Sequence, residues 1–269
     1  MAGNHKIVSK QHLLPFILVT ALFFMWALPN NLNDILIPQF MKSFELSRLQ
    51  AGLVQSAFYL GYFLLAMPAA LIMDKYNYKT GLIIGLLLFS AGCFLFLPAA
   101  SSGTYAFFLV ALFVIASGLA FLETGSNSFI AVLGDPATSE HRLNFSQSFN
   151  PLGSMTGVLI GTVFIFSGTE LSGNQIDAMK QAGTYQAYLH DEIMRVGPPY
   201  LVIGSILLVW AFLIWRTRFP EEKKLTDKDG NSKGKLSALL QYPHFMRGVL
   251  AQFFYVGAQV GTWSFMIQY

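Results

Sequence analysis

Long stretches of this chain contain no Asp, Glu, Lys or Arg, and several of them are long enough to cross a lipid bilayer. A membrane-spanning helix needs about 20 consecutive, mostly apolar residues. Charged residues make up 12% of the chain and hydrophobic residues 54%, whereas a soluble domain carries about 25% charged residues. The sequence therefore predicts an all-α membrane protein.

Charge-free windows of this kind recur along the whole chain and predict seven spanning helices. The window between Lys79 and Glu123 is too long for one crossing. A turn signal from Pro98 to Gly103 divides it into two. The predicted spans are 13–40, 49–72, 80–98, 104–133, 144–168, 196–215 and 248–269.

The distribution of Lys and Arg predicts the orientation of these helices. If the N-terminus is cytoplasmic, thirteen Lys and Arg fall on the cytoplasmic side and four on the other. Cytoplasmic loops are enriched in positive charge, so this orientation is the predicted one. The predicted organisation is a cytoplasmic tail (1–12), a six-helix bundle (13–215), a charged cytoplasmic linker (216–247) and a seventh helix (248–269).

Six helices, a charged linker and a seventh helix that stops at Tyr269 suggest part of a larger carrier. Transporters built from two six-helix halves carry a linker in this place, and each half contains two inverted three-helix repeats. We therefore expect the chain to be an N-terminal half with the first helix of the second half. On that scheme the first and fourth helices are counterparts.

Two carboxylates, Asp34 and Glu123, lie inside predicted spans. An ionised group at membrane depth costs at least about 2.5–3.5 kcal/mol, so it normally faces a bundle interior or a wet cavity and marks an ion or substrate pathway. A neutral polar residue could join helices at lower cost. The sequence therefore predicts a transporter that couples the movement of a polar solute to protons through these two acids.

Further polar and aromatic side chains occur at helical spacing around the two acids. Amides and carboxylates can bond sugar hydroxyls, while Tyr and Trp rings stack on the apolar face of a sugar ring. This combination favours a monosaccharide as the solute. The predicted substrate-binding residues are Asn30, Asn31, Tyr59, Glu123, Asn127, Gln147, Asn150, Gln252, Gln259 and Trp263.

Some polar residues in the spans have a second interpretation. Polar side chains also hold membrane helices together, with roughly 0.6 kcal/mol per hydrogen bond. For Gln55, Ser126 and Ser154 this interpretation is as well supported as a functional one. Tyr59 and Tyr62, which follow Gln55 at helical spacing, fit packing as well as binding.

Other functional classes find little support. The five histidines fall in predicted tails or loops and form no metal-binding or nucleophilic group, so we predict neither an enzyme nor a cofactor or metal. The chain has no basic stripe with interleaved aromatic residues, so no nucleic-acid partner is predicted. A channel is less favoured than a carrier, because two buried carboxylates suit a stepwise proton-coupled cycle.

Five segments carry a resemblance to a known family. They are NNLNDILIPQF (30–40), QAGLVQSAFY (50–59), LETGSN (122–127), RLNFSQSFN (142–150) and LAQFFYVGAQ (250–259). They resemble the L-fucose:proton symporters, a sugar branch of the major facilitator superfamily, and the match runs over essentially the whole chain.

The resemblance implies a twelve-helix, monomeric inner-membrane transporter with the major facilitator superfamily fold. It implies L-fucose, protons and the lipid bilayer as partners. Asp34 and Glu123 match the family's two essential membrane acids, one tied to protonation and the other to sugar recognition. Members of the same branch take glucose, galactose or N-acetylglucosamine, so a proton symporter for one of these sugars is an alternative.

The position of the two acids suggests how they divide the work. At about 1.5 Å per residue, Asp34 falls in the outer half of its outward-running helix and Glu123 on the cytoplasmic side of the midplane. We assign the proton first to Asp34 and the sugar hydroxyls first to Glu123. A non-transporting sugar sensor that has kept the binding half of a carrier is a second alternative, which the reading frame beyond Tyr269 would distinguish.

Overall fold

The computed structural model describes residues 8–166, 171–220 and 239–266, and these residues form helices and turns without a strand. The predicted all-α class is therefore confirmed. Six helical segments among them are long and apolar enough to cross a membrane. They are Lys10–Ser43, Arg48–Lys75, Tyr78–Ser102, Tyr105–Val132, Pro136–Ile165 and Tyr185–Arg216.

Ten α-helices are numbered along the described residues, and a single π-helical turn, Gly161–Ile165, follows the sixth. The helices are α1 (Leu13–Ser43), α2 (Arg48–Lys75), α3 (Tyr78–Ser102), α4 (Tyr105–Val132), α5 (Ser139–Gln147), α6 (Phe149–Ile160), α7 (Gly173–Gln181), α8 (Tyr185–Met194), α9 (Gly197–Arg216) and α10 (Pro243–Met266).

Each predicted span is helical over most of its described residues, and the helix ends differ from the predicted ones by a few residues. Two differences affect the organisation of the chain. The third helix does not end at residue 98, because α3 continues through Pro98 to Ser102. The turn lies at Gly103, whose φ of 58° is in the left-handed region that favours glycine. The fifth predicted span consists of two helices, α5 and α6, which meet at Ser148.

The chain divides into two compact units, Met1–Pro220 and Glu221–Tyr269. The centre of the predicted cytoplasmic linker, residues 221–238, lies outside the described residues, as do residues 1–7 of the predicted tail. The second unit contains α10, which begins at Pro243, five residues before the predicted seventh span. This helix is not among the six membrane-length segments of the described residues.

Within the first unit, α4 packs against α2 and α3, α3 also packs against α9, and α1 packs against α6. The contact of α1 with α6 is close because small residues of α6 face the α1 backbone. A Cβ atom added to Gly157 would lie 2.9 Å from the carbonyl oxygen of Leu28, and one added to Gly153 would collide with the carbonyl oxygen of Phe24. These glycines therefore allow the two helices to pack closely.

Aromatic rings lock together one end of four helices. Phe108 of α4 lies 4.8 Å from Phe40 of α1 and 5.4 Å from Phe96 of α3, measured between ring centroids. Tyr200 of α9 stacks on Phe96 at 3.8 Å with 9° between the ring planes. Such pairs contribute about 0.5–1.5 kcal/mol each beyond the burial of their area, so this cluster fixes the relative position of α1, α3, α4 and α9.

Two cations that mark the predicted cytoplasmic side also cap helices. Arg142 is 0% exposed, and its guanidinium donates to the carbonyl oxygens of Ile130 and Ala131 at the end of α4, at 3.1 and 3.0 Å. Lys79 donates to the carbonyl oxygens of Trp215 and Thr217 at the end of α9, both at 2.8 Å. Cations at helix C-termini also interact favourably with the helix dipole.

Candidate functional site

The two membrane acids lie on α1 and α4, and α2 contacts both of these helices. Asp34 is half-buried and accepts a hydrogen bond of 2.7 Å from the side-chain amide of Gln55, across the contact between α1 and α2. The oxygen of the same Gln55 amide accepts a hydrogen bond of 2.9 Å from the side chain of Asn33. Asn33, Gln55 and Asp34 therefore form a directed chain of hydrogen bonds that ends on a carboxylate oxygen.

Glu123 of α4 has a different neighbour on α2. The hydroxyl of Tyr62 is buried beside the Glu123 carboxylate and the Asn30 amide. Neither approach has full hydrogen-bond geometry, and the hydroxyl has no hydrogen-bond partner among the described residues. Asn30, Tyr62 and Glu123 therefore bring together α1, α2 and α4.

Tyr59 lies between these two groups on α2. It is 42% exposed and in electrostatic contact with Asp34. Gln55, Tyr59 and Tyr62 follow one another at spacings of four and three, so they share one face of the helix. Two turns of α2 thus connect the surroundings of both acids.

A third cluster extends from Glu123 toward α5. Asn127 lies one turn beyond Glu123 and donates its side-chain N–H to the Glu123 carbonyl oxygen at 2.9 Å. The side-chain amide of Gln147 donates to the Asn127 side-chain oxygen at 3.3 Å. The structure therefore brings three of the predicted binding residues together, while Asn150 is half-buried in the first turn of α6.

Asn31 occupies a different side of α1 from Asn30. Its side-chain N–H donates to the Ala27 carbonyl oxygen at 2.9 Å, which leaves the amide oxygen available to other donors. Its Cβ lies close to Gly157 of α6, at the contact between α1 and α6. Asn31 is therefore near α6, whereas Asn30 is near α2 and α4.

The remaining predicted binding residues belong to the second unit. Gln252 and Gln259 lie seven residues apart on α10 and thus near one face of it. Trp263 is in the same helix, and its side chain lies outside the described residues. Asp34 and Glu123 belong to the first unit.

The sequence did not identify a buried charged cluster between α1 and α8. Glu192 is 2% exposed, its carboxylate lies 3.2 Å from the ammonium of Lys42, and it accepts a hydrogen bond of 3.1 Å from Gln39. Gln39 also donates to the Glu192 carbonyl oxygen at 3.0 Å. Glu192 lies in a predicted loop outside every apolar window, so the sequence held no signal that it would be buried.

The electrostatic setting of the two membrane acids differs from that of Glu192. Over the described residues, the neighbours of Asp34 and Glu123 are amides and tyrosine hydroxyls, and neither acid forms an ion pair with Lys or Arg. Neither carboxylate is therefore paired with a cation in the part of the chain that the structure describes, and both are candidates for a proton-exchange step.

The described residues contain no group of three or more His, Cys, Asp or Glu that could hold a metal ion. The residues that surround the two acids are amide, hydroxyl and aromatic side chains. Such groups bond or stack on polyhydroxylated molecules. The side chains of this candidate site can therefore hydrogen-bond a polar solute, and its two carboxylates can exchange protons.

Comparison with known proteins confirms the resemblance carried by the five sequence segments. The Major Facilitator Superfamily profile matches residues 16–269. The chain is 43% identical to the L-fucose-proton symporter of Escherichia coli K12 over 264 residues, which are 97% of this chain and 60% of that protein. It is 35% identical to the glucose/galactose transporter of Brucella abortus over 267 residues, which are 98% of this chain and 61% of that protein.

Solved structures give the same result. A crystal structure of the Escherichia coli fucose:proton symporter matches with a TM-score of 0.78 and 42% identity, over 97% of this chain and 63% of that one. A structure of the transporter FucP in the outward conformation matches with a TM-score of 0.79 and 43% identity, over 97% and 64%. The chain spans about three fifths of the length of these relatives. The fold comparisons and the six membrane-length helices make it a multi-pass membrane protein.

Proposed function

Because the chain belongs to the Major Facilitator Superfamily, we propose that it is the N-terminal part of a carrier that imports L-fucose, or a related monosaccharide, together with protons. The observation that carries this proposal is the pair of membrane acids, Asp34 and Glu123, with neutral donors around them and no ion pair among the described residues. The names of the relatives support the choice of sugar and coupling ion.

Asp34 is the carboxylate to which this proposal assigns the proton first. It is half-buried on α1 and receives one strong neutral donor, Gln55. When Asp34 is protonated, the cavity can close around the sugar without burying a negative charge, which would be costly in a low-dielectric interior. Release of the proton to the cytoplasm then biases the return step, so that the proton gradient drives accumulation of the sugar.

Glu123 is the acid that we assign first to the sugar, and as the second membrane carboxylate it also takes part in proton coupling. Its neighbours Asn127 and Gln147 offer amide groups within the same cluster. Hydrogen bonds from sugar hydroxyls to a charged acceptor are stronger than those to a neutral one. Asn30, Asn31, Tyr59, Asn150, Gln252, Gln259 and Trp263 complete the proposed binding set.

The proposal includes the arrangement in the membrane. The carrier works as a monomer in the inner membrane, with the N-terminus in the cytoplasm and α1 running outward. The tail is 1–12, the bundle 13–215, the linker 216–247 and the helix that starts the second half 248–269. Alternating access then exposes the acids of α1 and α4 to the two sides in turn.

A carrier of glucose or galactose is the second candidate. It is favoured by the glucose/galactose transporters, which are 35% identical to this chain over 98% of its length. The proton site would be the same in both carriers, and the difference would lie in the residues that bond the sugar hydroxyls. N-acetylglucosamine is a further sugar of this kind.

Uptake of labelled L-fucose by the full-length protein in membrane vesicles tests the proposal. The assay includes competing glucose, galactose and N-acetylglucosamine and records external pH. We expect fucose uptake with external alkalinisation that follows it in time. If only a competing sugar is taken up, that sugar replaces fucose as the proposed substrate. If sugars bind but none is taken up, the result favours a non-transporting sugar sensor.

A further inference from the structure

We propose that Gln55 is a positioning residue for the proton site, and that its amide, oriented by Asn33, couples the protonation of Asp34 to the contact between α1 and α2. This inference rests on the proposed function, because it assigns a role to a residue that supports the proton step. It concerns a side chain on α2, whereas the proton carboxylate is on α1. The hydrogen bonds of 2.9 and 2.7 Å define the geometry.

The direction of the two hydrogen bonds follows from the chemistry of the groups. An ionised carboxylate can only accept hydrogen bonds, so Gln55 must present its N–H to Asp34. Its amide oxygen then faces the other way and accepts from Asn33. Reversal of the Gln55 amide would place its oxygen against the carboxylate oxygen and its N–H against the Asn33 N–H. The arrangement therefore matches the deprotonated form of Asp34.

Asn33 holds the Gln55 amide in this orientation. It is 2% exposed, and its side-chain oxygen has no hydrogen-bond partner among the described residues. Buried polar atoms are normally hydrogen-bonded. Among the described residues, the side chain of Asn33 meets this requirement through its bond to Gln55. Donation by Asn33 keeps the Gln55 oxygen occupied and its N–H directed at Asp34.

Protonation of Asp34 changes the strength of the bond between α1 and α2. A donor bonds a charged carboxylate about twice as strongly as a neutral acceptor. When Asp34 takes up a proton, Gln55 retains at most a neutral acceptor, and the link between the two helices weakens. The protonation state of Asp34 is thus transmitted directly to α2, which also carries Tyr62 beside Glu123.

Few other titratable groups face Asp34. Tyr59 of α2 is in electrostatic contact with it, and α6 has no titratable side chain. On α4 the acid Glu123 faces Tyr62. Lys42 lies eight residues further along α1, a distance of about 12 Å along the helix axis, where it pairs with Glu192 of α8. Arg142 of α5 and Arg216 of α9 lie toward the other end of α1. Ser146 of α5 contacts Thr20, and Trp210 of α9 contacts Leu18.

A substitution of Gln55 by Leu tests the inference in the full-length carrier. The variant removes a donor that favours the ionised form of Asp34, so the protonated form should persist to higher pH. We expect the pH at which fucose uptake falls to half its maximum to rise by about one unit, with uptake at low pH retained. Asn33→Leu should move the midpoint in the same direction by a smaller amount, because Gln55 loses its orientation.

Ser56→Ala is the matched control, because Ser56 is the next residue of α2 and its hydroxyl bonds only the Gly52 carbonyl oxygen of its own helix, at 3.1 Å, among the described residues. It should keep the wild-type midpoint. Infrared difference spectra, recorded against pH and assigned with Asp34→Asn, give a readout that does not need transport. An unchanged midpoint and an unchanged carboxyl titration in both Gln55→Leu and Asn33→Leu would overturn the inference and make Gln55 a simple interhelical contact.

The outcomes also separate this inference from the proposed function. If the wild-type protein carries no sugar with protons, the proposed function fails, and the carboxyl titration still decides whether Gln55 acts on Asp34. If the wild type carries fucose with protons, and both Gln55→Leu and Asn33→Leu keep its pH midpoint and its carboxyl titration, the inference alone fails.

Discussion

Gln55 and Tyr62 lie two turns apart on one face of α2, and each reaches a different membrane acid. Gln55 donates to Asp34 at 2.7 Å, and Tyr62 lies with its buried hydroxyl beside Glu123. Seven residues correspond to about 10 Å along the helix. Because α2 contacts both acids, a movement of this helix relative to α1 alters the surroundings of both at once.

The two ends of this face are expected to affect transport differently. Tyr62→Phe removes a hydroxyl near Glu123 and Asn30 without changing the ring. We expect the fucose concentration for half-maximal uptake to rise roughly tenfold, which corresponds to about 1.4 kcal/mol. The pH midpoint should stay at the wild-type value, in contrast to Gln55→Leu. A shifted midpoint with an unchanged sugar dependence would contradict this separation.

Replacement of Glu123 by Gln should mainly weaken sugar binding. The side chain keeps its shape but loses the charged acceptor, and a hydrogen bond to a charged group contributes about 1.5–3 kcal/mol. Binding of fucose to the purified protein should therefore weaken by roughly tenfold to a hundredfold. Glu140→Gln, which removes an equal charge from an exposed position, is the control and should bind normally. Equal affinities for the Glu123→Gln variant and the wild type would contradict the assignment.

Loss of Arg142 should destabilise the protein. Its buried guanidinium donates to three backbone carbonyls and to the Thr138 hydroxyl, which lies 2.6 Å away. Each buried group left without a partner costs about 1–3 kcal/mol, so Arg142→Leu should clearly lower the melting temperature in detergent. The neighbouring exposed residue offers a control, His141→Ala, for which we expect no change. If both variants melt like the wild type, Arg142 is not the cap of α4.

The cluster of Glu192 and Lys42 should show energetic coupling. Lys42→Met removes the cation 3.2 Å from a carboxylate that is 2% exposed. Removal of one partner of a buried pair costs about 3–5 kcal/mol, whereas neutralising both can be harmless. Because Lys42 is 31% exposed, we expect a loss below that range, with part of the stability restored by adding Glu192→Gln. Thermal unfolding of both single variants and the double variant measures this coupling, and simple additivity of the two effects would contradict it.

The helices could be predicted from the sequence because a charge-free window of membrane length has few alternative structures to a spanning helix. Asp34 and Glu123 stood out for the same reason, since a carboxylate in such a window is costly. Spacing along α2 placed Gln55, Tyr59 and Tyr62 on one face. It could not tell which neighbouring helix that face contacts, and this is why Gln55 looked equally like a helix contact and a functional residue.

The buried charges were harder to predict. Arg142 was informative in the sequence only as a positive charge, because its bonds to the end of α4 depend on the folding of the turn that follows. Glu192 is buried because Gln39 and Lys42 at the end of α1 pair with it. Contacts between residues more than 140 positions apart leave no periodic signal in the sequence.

The central claim is that Asp34 carries the proton that drives sugar accumulation. Its most direct test is a comparison of wild-type and Asp34→Asn carriers in the same vesicles, with measurement of both accumulation and exchange of labelled fucose. We predict that Asp34→Asn still exchanges fucose across the membrane but no longer accumulates it when the outside is acidic. A variant that still concentrates fucose in response to the pH gradient would contradict the account.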